Sequence, residues 1–306
     1  MSACNNCGTQ LLGEFCHVCG QKRFVESDRR FGHLLHQFIH SATDVDGRIW
    51  RSVRALLFEP GRLSREYIEG RRGRWISPAS LFFAVSVVYF LAPLHGSDFT
   101  PQFYQQVPGR IRALAVGPGE TLTPEQVAGV GQEHSPITAR WIDARVAQRD
   151  AEARKASNGA TGYSYHDYRV AYDAKADDVS KALVILHVPF AAWALMAMFA
   201  RPRRYFAEHF VVALHFFAFA LASLEIVWQL QGLIKLLPLA WQPPDAAYDW
   251  LMRALLPTYT VLALRRAYDV DWLHALAGAV GMIAVVLVAN LYVYRAVQFL
   301  VTFALT

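Results

Sequence analysis

The sequence predicts a mainly α-helical protein that crosses a membrane about five times and begins with a small cysteine-rich domain. Hydrophobic residues make up 54% of the 306 residues, and the mean hydropathy is +0.19. Only 18% of the residues are charged, against roughly 25% in ordinary soluble domains. All four cysteines lie between Cys4 and Cys19, and this is not the distribution of a secreted fold built on disulfides.

The cysteine-rich domain, residues 1–24, contains two knuckles, Cys4-x2-Cys7-Gly8 and Cys16-x2-Cys19-Gly20. Each tight turn points two thiolates at one ion, and the glycine after the second cysteine tolerates the positive φ that turns backbone N–H groups toward the sulfurs. The connector is long enough only for a hairpin, so the metal would supply most of the folding energy. The pattern predicts a zinc ribbon with one structural zinc ion. The predicted ligands are Cys4, Cys7, Cys16 and Cys19.

Other chemistries use cysteine pairs of this kind. Two disulfides, or a redox-active Cys-x-x-Cys, are disfavoured because thioredoxin-type motifs occur singly within a βαβ unit. Iron in rubredoxin-like knuckles has the same sequence pattern and remains an alternative to zinc. A closed shell of four sulfurs leaves no position for a water molecule, so a structural role is favoured over a catalytic one.

Five apolar stretches are candidates for membrane spans, judged against the roughly 20 apolar residues that a bilayer requires. They are residues 76–94, 182–200, 210–230, 251–264 and 272–294. The fourth is the weakest, because it is short and contains Arg253 and Pro257. Residues 95–181 are predicted to form an extracytoplasmic loop, and residues 182–306 the remaining membrane helices.

Lysine and arginine positions orient these spans, because cytoplasmic loops carry the excess of basic residues. Arginines are dense before the first span, recur at residues 201–204 and follow the fourth span at Arg265 and Arg266. The loop between the third and fourth spans has only Lys235. The pattern predicts a cytoplasmic N-terminus and, with five spans, an extracytoplasmic C-terminus. A reducing cytosol would also keep the thiols available for a metal.

Residues 25–75 are predicted to form cytoplasmic amphipathic and juxtamembrane helices. An apolar stripe at helical spacing begins at Phe31, and three histidines share a face beside it (His33, His36 and His40). A position at the lipid headgroup boundary is favoured for them over metal binding or pH sensing. The segment ends in a run of arginines before Trp75, suited to anchoring and to contact with anionic lipid phosphates at about 1 kcal/mol per basic residue. The candidate phosphate contacts are Arg71, Arg72 and Arg74.

Ionisable side chains within the predicted spans are functional candidates, because burying them in lipid is costly. Glu208 and His215 are two helical turns apart and share one face, whereas His209 points to a neighbouring face. His187, in the second span, is expected about 10–15 Å away in depth from His215. These residues would form a cluster that binds a metal, relays protons or holds a lipid headgroup. The alternative is a hydrogen-bond network that fixes helix packing, with Glu208 paired to the arginines of residues 201–204.

The chain resembles a bacterial membrane family known as domain of unknown function 3667. Three motifs carry the resemblance: the knuckle from Phe15 to Gln21, the block from Pro60-Gly61 through Tyr67 and Gly70 to Arg72, and the helix start from Tyr205 to His215. It covers residues 4–94 and 205–217. Members often have His-x-His where this chain has Phe217, which counts against a metal site there. The resemblance implies a zinc ribbon before a multi-pass region in a bacterial inner membrane. It supports this architecture only and does not indicate which activity the protein has.

Three functions are compatible with these residues. The leading one is a non-enzymatic protein of envelope maintenance, whose zinc ribbon docks a cytoplasmic partner or stabilises the N-terminal platform. The second is a transporter or lipid-handling protein that uses Glu208, His209 and His215. The third is a membrane metalloenzyme with a histidine–carboxylate centre. No catalytic residue is predicted, and the nearly balanced charges of the long loop give no indication of nucleic-acid binding.

Overall fold

The computed structural model describes residues 3–23, 47–91, 103–119, 136–199, 205–238 and 242–306. These residues form two compact units, one from residues 1–95 and 188–286, the other from residues 96–187 and 287–306. The described chain is mainly helical, and its only β-bridges lie in the cysteine-rich domain. The predicted helix from Phe31 with its three histidines and the arginines of residues 201–204 lie outside the described residues.

The first unit contains seven described helices. They are α1 Arg48–Phe58, α2 Arg62–Ile68, α3 Pro78–Leu91, α7 His187–Met198, α8 Phe206–Leu236, α9 Asp245–Tyr268 and α10 Trp272–Val288, and the unit boundaries fall inside α7 and α10. Helix α8 has 31 residues, about 46 Å at 1.5 Å per residue, and it packs against α1, α2, α3 and α9.

The turn between α1 and α2 is held against the backbone of α9. Gly61 has a φ of 74°, and a Cβ atom there would lie 2.3 Å from the carbonyl oxygen of Ala263. Only glycine therefore fits this position without moving the helices. At the end of α1 the Tyr259 hydroxyl donates to the carbonyl oxygen of Leu56 at 2.8 Å, and the Tyr259 ring stacks on Phe219 at 3.4 Å. These contacts fix the α1–α2 hairpin against α8 and α9.

Within the described residues, three helices are long and apolar enough to cross a membrane, and a count of five is not supported. They are Tyr165–Met198, Phe206–Leu236 and Trp272–Leu305. Of the two remaining candidates, α3 has only 14 residues, about 21 Å against a hydrocarbon core of about 30 Å. Residues 251–264 lie inside the 24-residue helix α9, whose Asp249, Arg253 and Arg265 lower its hydropathy.

The second unit contains much of the predicted extracytoplasmic loop, and the described residues of this loop are largely helical. Its elements are a 3-10 turn at Phe103–Gln105, α4 Gly109–Leu114, α5 Pro136–Ala156, α6 Tyr165–Leu183 and α11 Arg295–Leu305. Helix α6 runs through a 3-10 turn directly into α7, so the helix that contains the second predicted span begins at Tyr165. Its Tyr168 and Tyr172 are fully buried and pack with Phe103 and Phe299. The aromatic residues of α6 thus form a core with the last helix.

Candidate metal centre

The four cysteine sulfurs lie within 4.8 Å of one another, and all four cysteines are free thiols. The closest pairs are Cys4 with Cys19 at 3.6 Å and Cys7 with Cys16 at 3.5 Å. A tetrahedral shell with metal–sulfur bonds of about 2.3 Å needs sulfurs about 3.8 Å apart. The donor set and the spacing therefore fit one tetrahedral metal ion.

The two knuckles repeat the same backbone geometry. Gly8 and Gly20 have φ values of 76° and 71°. The amide of Gly8 donates to the carbonyl of Cys4, and the amide of Gly20 donates to that of Cys16, both at 2.8 Å. This local turn chemistry, together with positive φ at glycine, turns each pair of thiols toward the same point.

The thiols of the cluster differ in acidity. A hydrogen bond with the Thr9 hydroxyl, assisted by the Thr9 backbone, lowers the pKa of Cys7 to about 6. A hydrogen bond from Asn6 lowers the pKa of Cys19. Burial raises the pKa of Cys4 to about 11. Because thiolates this close repel one another, a cation at the centre is what would allow all four to ionise together.

The cysteine-rich domain is attached to the juxtamembrane turn, residues 70–75, through Gln21. The Gln21 side-chain amide donates to the carbonyl of Gly70 at 2.6 Å. Its carbonyl oxygen accepts from the backbone amides of Arg72 at 3.0 Å and Gly73 at 2.8 Å. A Cβ atom at Gly73 would lie 3.1 Å from Nδ2 of Asn6, inside the first knuckle. Both knuckles therefore meet the juxtamembrane turn at Gly73.

The juxtamembrane turn is tied in turn to helix α2 through Glu66. The Trp75 indole donates to Glu66 at 2.7 Å, and the Arg62 guanidinium donates to the other carboxylate oxygen at 3.0 Å. Burial opposes ionisation of Glu66, but the hydrogen bonds from Trp75 and Arg62 outweigh it and lower the pKa of this carboxyl. The charge of Glu66 is thus part of the connection between α2 and the turn.

The three arginines proposed for lipid contact have different surroundings. Arg71 forms an ion pair with Glu69. Arg72 lies over the Tyr67 ring, 3.9 Å from its centre, and donates to the Tyr67 carbonyl at 3.4 Å. Arg74 is exposed, and no ion pair joins it to a described carboxylate. Arg71 and Arg72 therefore have partners within the chain, whereas Arg74 is open to solvent or lipid.

The three candidate histidines of the spans have different polar partners. The Ser64 hydroxyl is 2.9 Å from Nδ1 of the buried His215, whereas His209 contacts the Tyr268 hydroxyl through Nδ1 at 2.8 Å. In the second unit, Asn290 donates to Nε2 of His187 at 3.0 Å. Among the described residues, the four cysteines are the only group of three or more histidines, cysteines and carboxylates close enough to hold a metal.

A pocket of about 20 Å³ adjoins His215 and Ser64, between the α1–α2 turn and helices α8 and α9. Glu59 and Thr260 also line it. This volume suits about one water molecule and is far too small for a lipid headgroup. Sequence reasoning missed Ser64 and Tyr268, since nothing in their local pattern distinguishes them from ordinary helical residues.

A family model described as a protein of unknown function (DUF3667) matches residues 46–90. The matched segment contains α1, α2, the juxtamembrane turn and almost all of α3. It includes neither the cysteine-rich domain nor the segment from Glu208 to His215, so it supports the family resemblance only in this part of the chain. No curated protein and no solved structure matches the chain.

Proposed function

We propose that this chain is a bacterial inner-membrane protein whose cytoplasmic zinc ribbon is a non-enzymatic docking platform in envelope maintenance. The observation that carries the proposal is the attachment of the cysteine-rich domain to the juxtamembrane turn through Gln21 and Asn6. Three hydrogen bonds from one buried side chain hold the domain beside the first apolar helix. The domain is thereby part of the membrane protein's architecture and not a tethered appendage.

One structural zinc ion is the metal that suits this domain best. Its buried hydrophobic core consists of Cys4, Leu11 and Cys16, with Cys19 partly buried beside them. A core of this size cannot stabilise a fold by itself, so the metal would supply most of the folding free energy. Zinc takes closed four-sulfur shells in structural sites and has no redox chemistry.

The cysteine-rich domain presents apolar side chains suited to a protein partner. Leu12, Phe15 and Val18 are 79%, 59% and 63% exposed. Large apolar side chains that a small domain leaves in solvent are typical of interaction surfaces when they cluster. A cytoplasmic protein that covers these residues is the partner we propose.

The proposed orientation follows from charge and redox chemistry. A cytoplasmic N-terminus keeps the thiols reduced and places the arginines before α3 on the side favoured for basic residues. With the three crossings found among the described residues, the C-terminus lies outside the cytoplasm, and residues 95–164, which precede the first crossing, lie on the cytoplasmic side, unlike the loop that the sequence predicts. Exposed apolar side chains on α10, such as Leu273, Leu276 and Val280, suit contact with lipid.

Metal analysis of the purified full-length protein tests the zinc assignment. We expect one zinc per wild-type chain and less than a tenth of that in the Cys4→Ser/Cys19→Ser variant, because two thiolates cannot complete the shell. His215→Ala should keep one zinc per chain. Iron in the wild-type protein, or undiminished zinc in the double variant, would overturn the assignment.

Complementation of a deletion strain under envelope stress tests the function. We expect Cys16→Ser to fail and His215→Ala to restore growth at matched expression, because the proposed activity resides in the ribbon. If His215→Ala fails while its zinc content and membrane level are normal, the function lies around α8 and the docking proposal is wrong. Growth restored by Cys16→Ser would contradict it equally.

A further inference from the structure

Helix α1 has one buried side and one side that combines aromatic and basic residues. Ser52, Ala55 and Leu56 are its buried residues. Trp50 and Phe58 are 78% and 75% exposed. At about 100° per residue, Trp50, Arg54 and Phe58 fall within an arc of about 80°, and Arg51 lies about 20° beyond it. We call these four residues the outward face of α1.

The arginines of the outward face differ from those of the next helix in their ionic partners. The two arginines of helix α2, and Arg71 of the juxtamembrane turn, are neutralised by carboxylates. Those ion pairs are Arg62 with Glu59 and Glu66, Arg65 with Glu69 and Asp269, and Arg71 with Glu69. Among the described residues, by contrast, no carboxylate pairs with Arg51 or Arg54, both of which are exposed.

Contacts at the two ends of α1 define its depth relative to the apolar helices. The Ser52 hydroxyl accepts from the Ile76 amide at 3.1 Å, two residues before the apolar helix α3 begins. Leu56 accepts from Tyr259, which lies midway along α9, six residues or about 9 Å from each of the charged residues Arg253 and Arg265. The first half of α1 therefore lies beside the start of the apolar helix α3, and its end packs against the apolar stretch of α9 that separates Arg253 from Arg265.

We propose that the outward face of α1 binds the headgroups of anionic phospholipids. The guanidinium groups of Arg51 and Arg54 match the geometry and charge of lipid phosphates, which they can bind through paired hydrogen bonds. Trp50 suits the headgroup level, where tryptophan is enriched, and Phe58 reaches the acyl chains. This surface requires a membrane-embedded chain but not the zinc ribbon, so it goes beyond the proposed function.

Native mass spectrometry of the full-length protein with added phosphatidylglycerol or phosphatidylcholine tests this site. Arg51→Gln/Arg54→Gln should bind phosphatidylglycerol about 30-fold more weakly, the equivalent of about 1 kcal/mol per arginine, with unchanged binding of phosphatidylcholine. The control is Arg140→Gln/Arg154→Gln, which removes the same charge from exposed positions of the second unit. Zinc content, measured on the same samples, keeps this result separate from the test of the ribbon.

Fluorescence in nanodiscs supplies a second readout. Brominated phosphatidylcholine should quench a larger fraction of the tryptophan fluorescence in the wild-type protein than in Trp50→Phe, because the proposal places Trp50 at the lipid boundary. The proposal would be overturned if Arg51→Gln/Arg54→Gln bound phosphatidylglycerol as tightly as the wild type. It would also be overturned if the control pair lost affinity for phosphatidylglycerol to the same extent. Equal quenching of wild type and Trp50→Phe would overturn the position assigned to α1.

Discussion

At the scale of single residues, Gln21 connects the cysteine-rich domain to the rest of the chain. Its side-chain nitrogen donates to the carbonyl of Gly70, and its side-chain oxygen accepts from the backbone amides of Arg72 and Gly73. Glutamate has no donor for the Gly70 carbonyl, and asparagine is one methylene shorter. The juxtamembrane turn exposes backbone groups that only a neutral side chain of this length satisfies together.

Replacing Gln21 should release the cysteine-rich domain without removing its metal. Gln21→Ala leaves two partly buried amides and one buried carbonyl without their partner, at a cost of about 1–3 kcal/mol for each group that water does not reach. We expect one zinc per chain and faster cleavage by a protease between the domain and α1. Gln10→Ala is the matched control, because Gln10 is exposed in the same domain. Unchanged cleavage of Gln21→Ala would contradict the proposed attachment.

At the scale of elements, the α1–α2 hairpin and the juxtamembrane turn form one connected structure. Glu66 joins them through Arg62 and Trp75, and Ser52 joins α1 to the residues that precede α3. The family model matches this same segment, residues 46–90. The hairpin and the turn therefore link the cysteine-rich domain on one side to the apolar helices on the other.

The Glu66 connection should weaken in acid. Because the folded protein lowers the pKa of Glu66 below its ordinary value of 4.5, the stabilisation is fully present above that value and is lost as the pH falls through the folded pKa. Thermal unfolding is measured for wild type and Glu66→Gln between pH 7 and pH 3. The free energy of unfolding of the wild type should exceed that of Glu66→Gln by about 1–2 kcal/mol at neutral pH, and this difference should vanish in acid. A difference that persists at the acid end would refute the ionic contribution.

Glu69→Gln is the control for this measurement. Glu69 pairs with Arg65 and Arg71, and its side chain is 34% exposed. Partly exposed ion pairs contribute little, typically below about 1 kcal/mol. At neutral pH, Glu69→Gln should therefore lower the free energy of unfolding by less than Glu66→Gln does.

At the scale of the whole molecule, long helices extend beyond what a bilayer needs. The helix Tyr165–Met198 has 34 residues, about 51 Å at 1.5 Å per residue, and its first part contributes to an aromatic core with the last helix. The predicted extracytoplasmic loop therefore forms a folded unit together with the last helix. Phe299 and Tyr172 pack within that unit although they are far apart in sequence.

The proposed orientation has a direct test with C-terminal fusions. An odd number of crossings from a cytoplasmic N-terminus should make an alkaline phosphatase fusion active and a green fluorescent protein fusion dark. An N-terminal fluorescent fusion should be bright. A fluorescent C-terminal fusion would show an even number of crossings, and the proposed topology would then be wrong.

The sequence alone indicated the helical, membrane-like composition and the four-cysteine cluster. Both follow from short-range physics, since apolar length is read within one segment and each knuckle is a turn of a few residues. The number of spans did not follow, because apolar windows do not show where a helix begins or which charges it carries. In α9, Asp249 and Arg265 lie outside the apolar window of residues 251–264, in a helix longer than that window, whereas Arg253 lies within it.

Only the tertiary structure decided which polar groups meet. His215 contacts Ser64, 151 residues away, and Gln21 reaches Gly70 across 49 residues. The tertiary structure also showed that the arginines of α2 are paired with carboxylates, whereas Arg51 and Arg54 of α1 are exposed. Such pairings depend on how helices pack, and a side chain's own sequence neighbourhood carries little information about partners brought to it by distant parts of the chain.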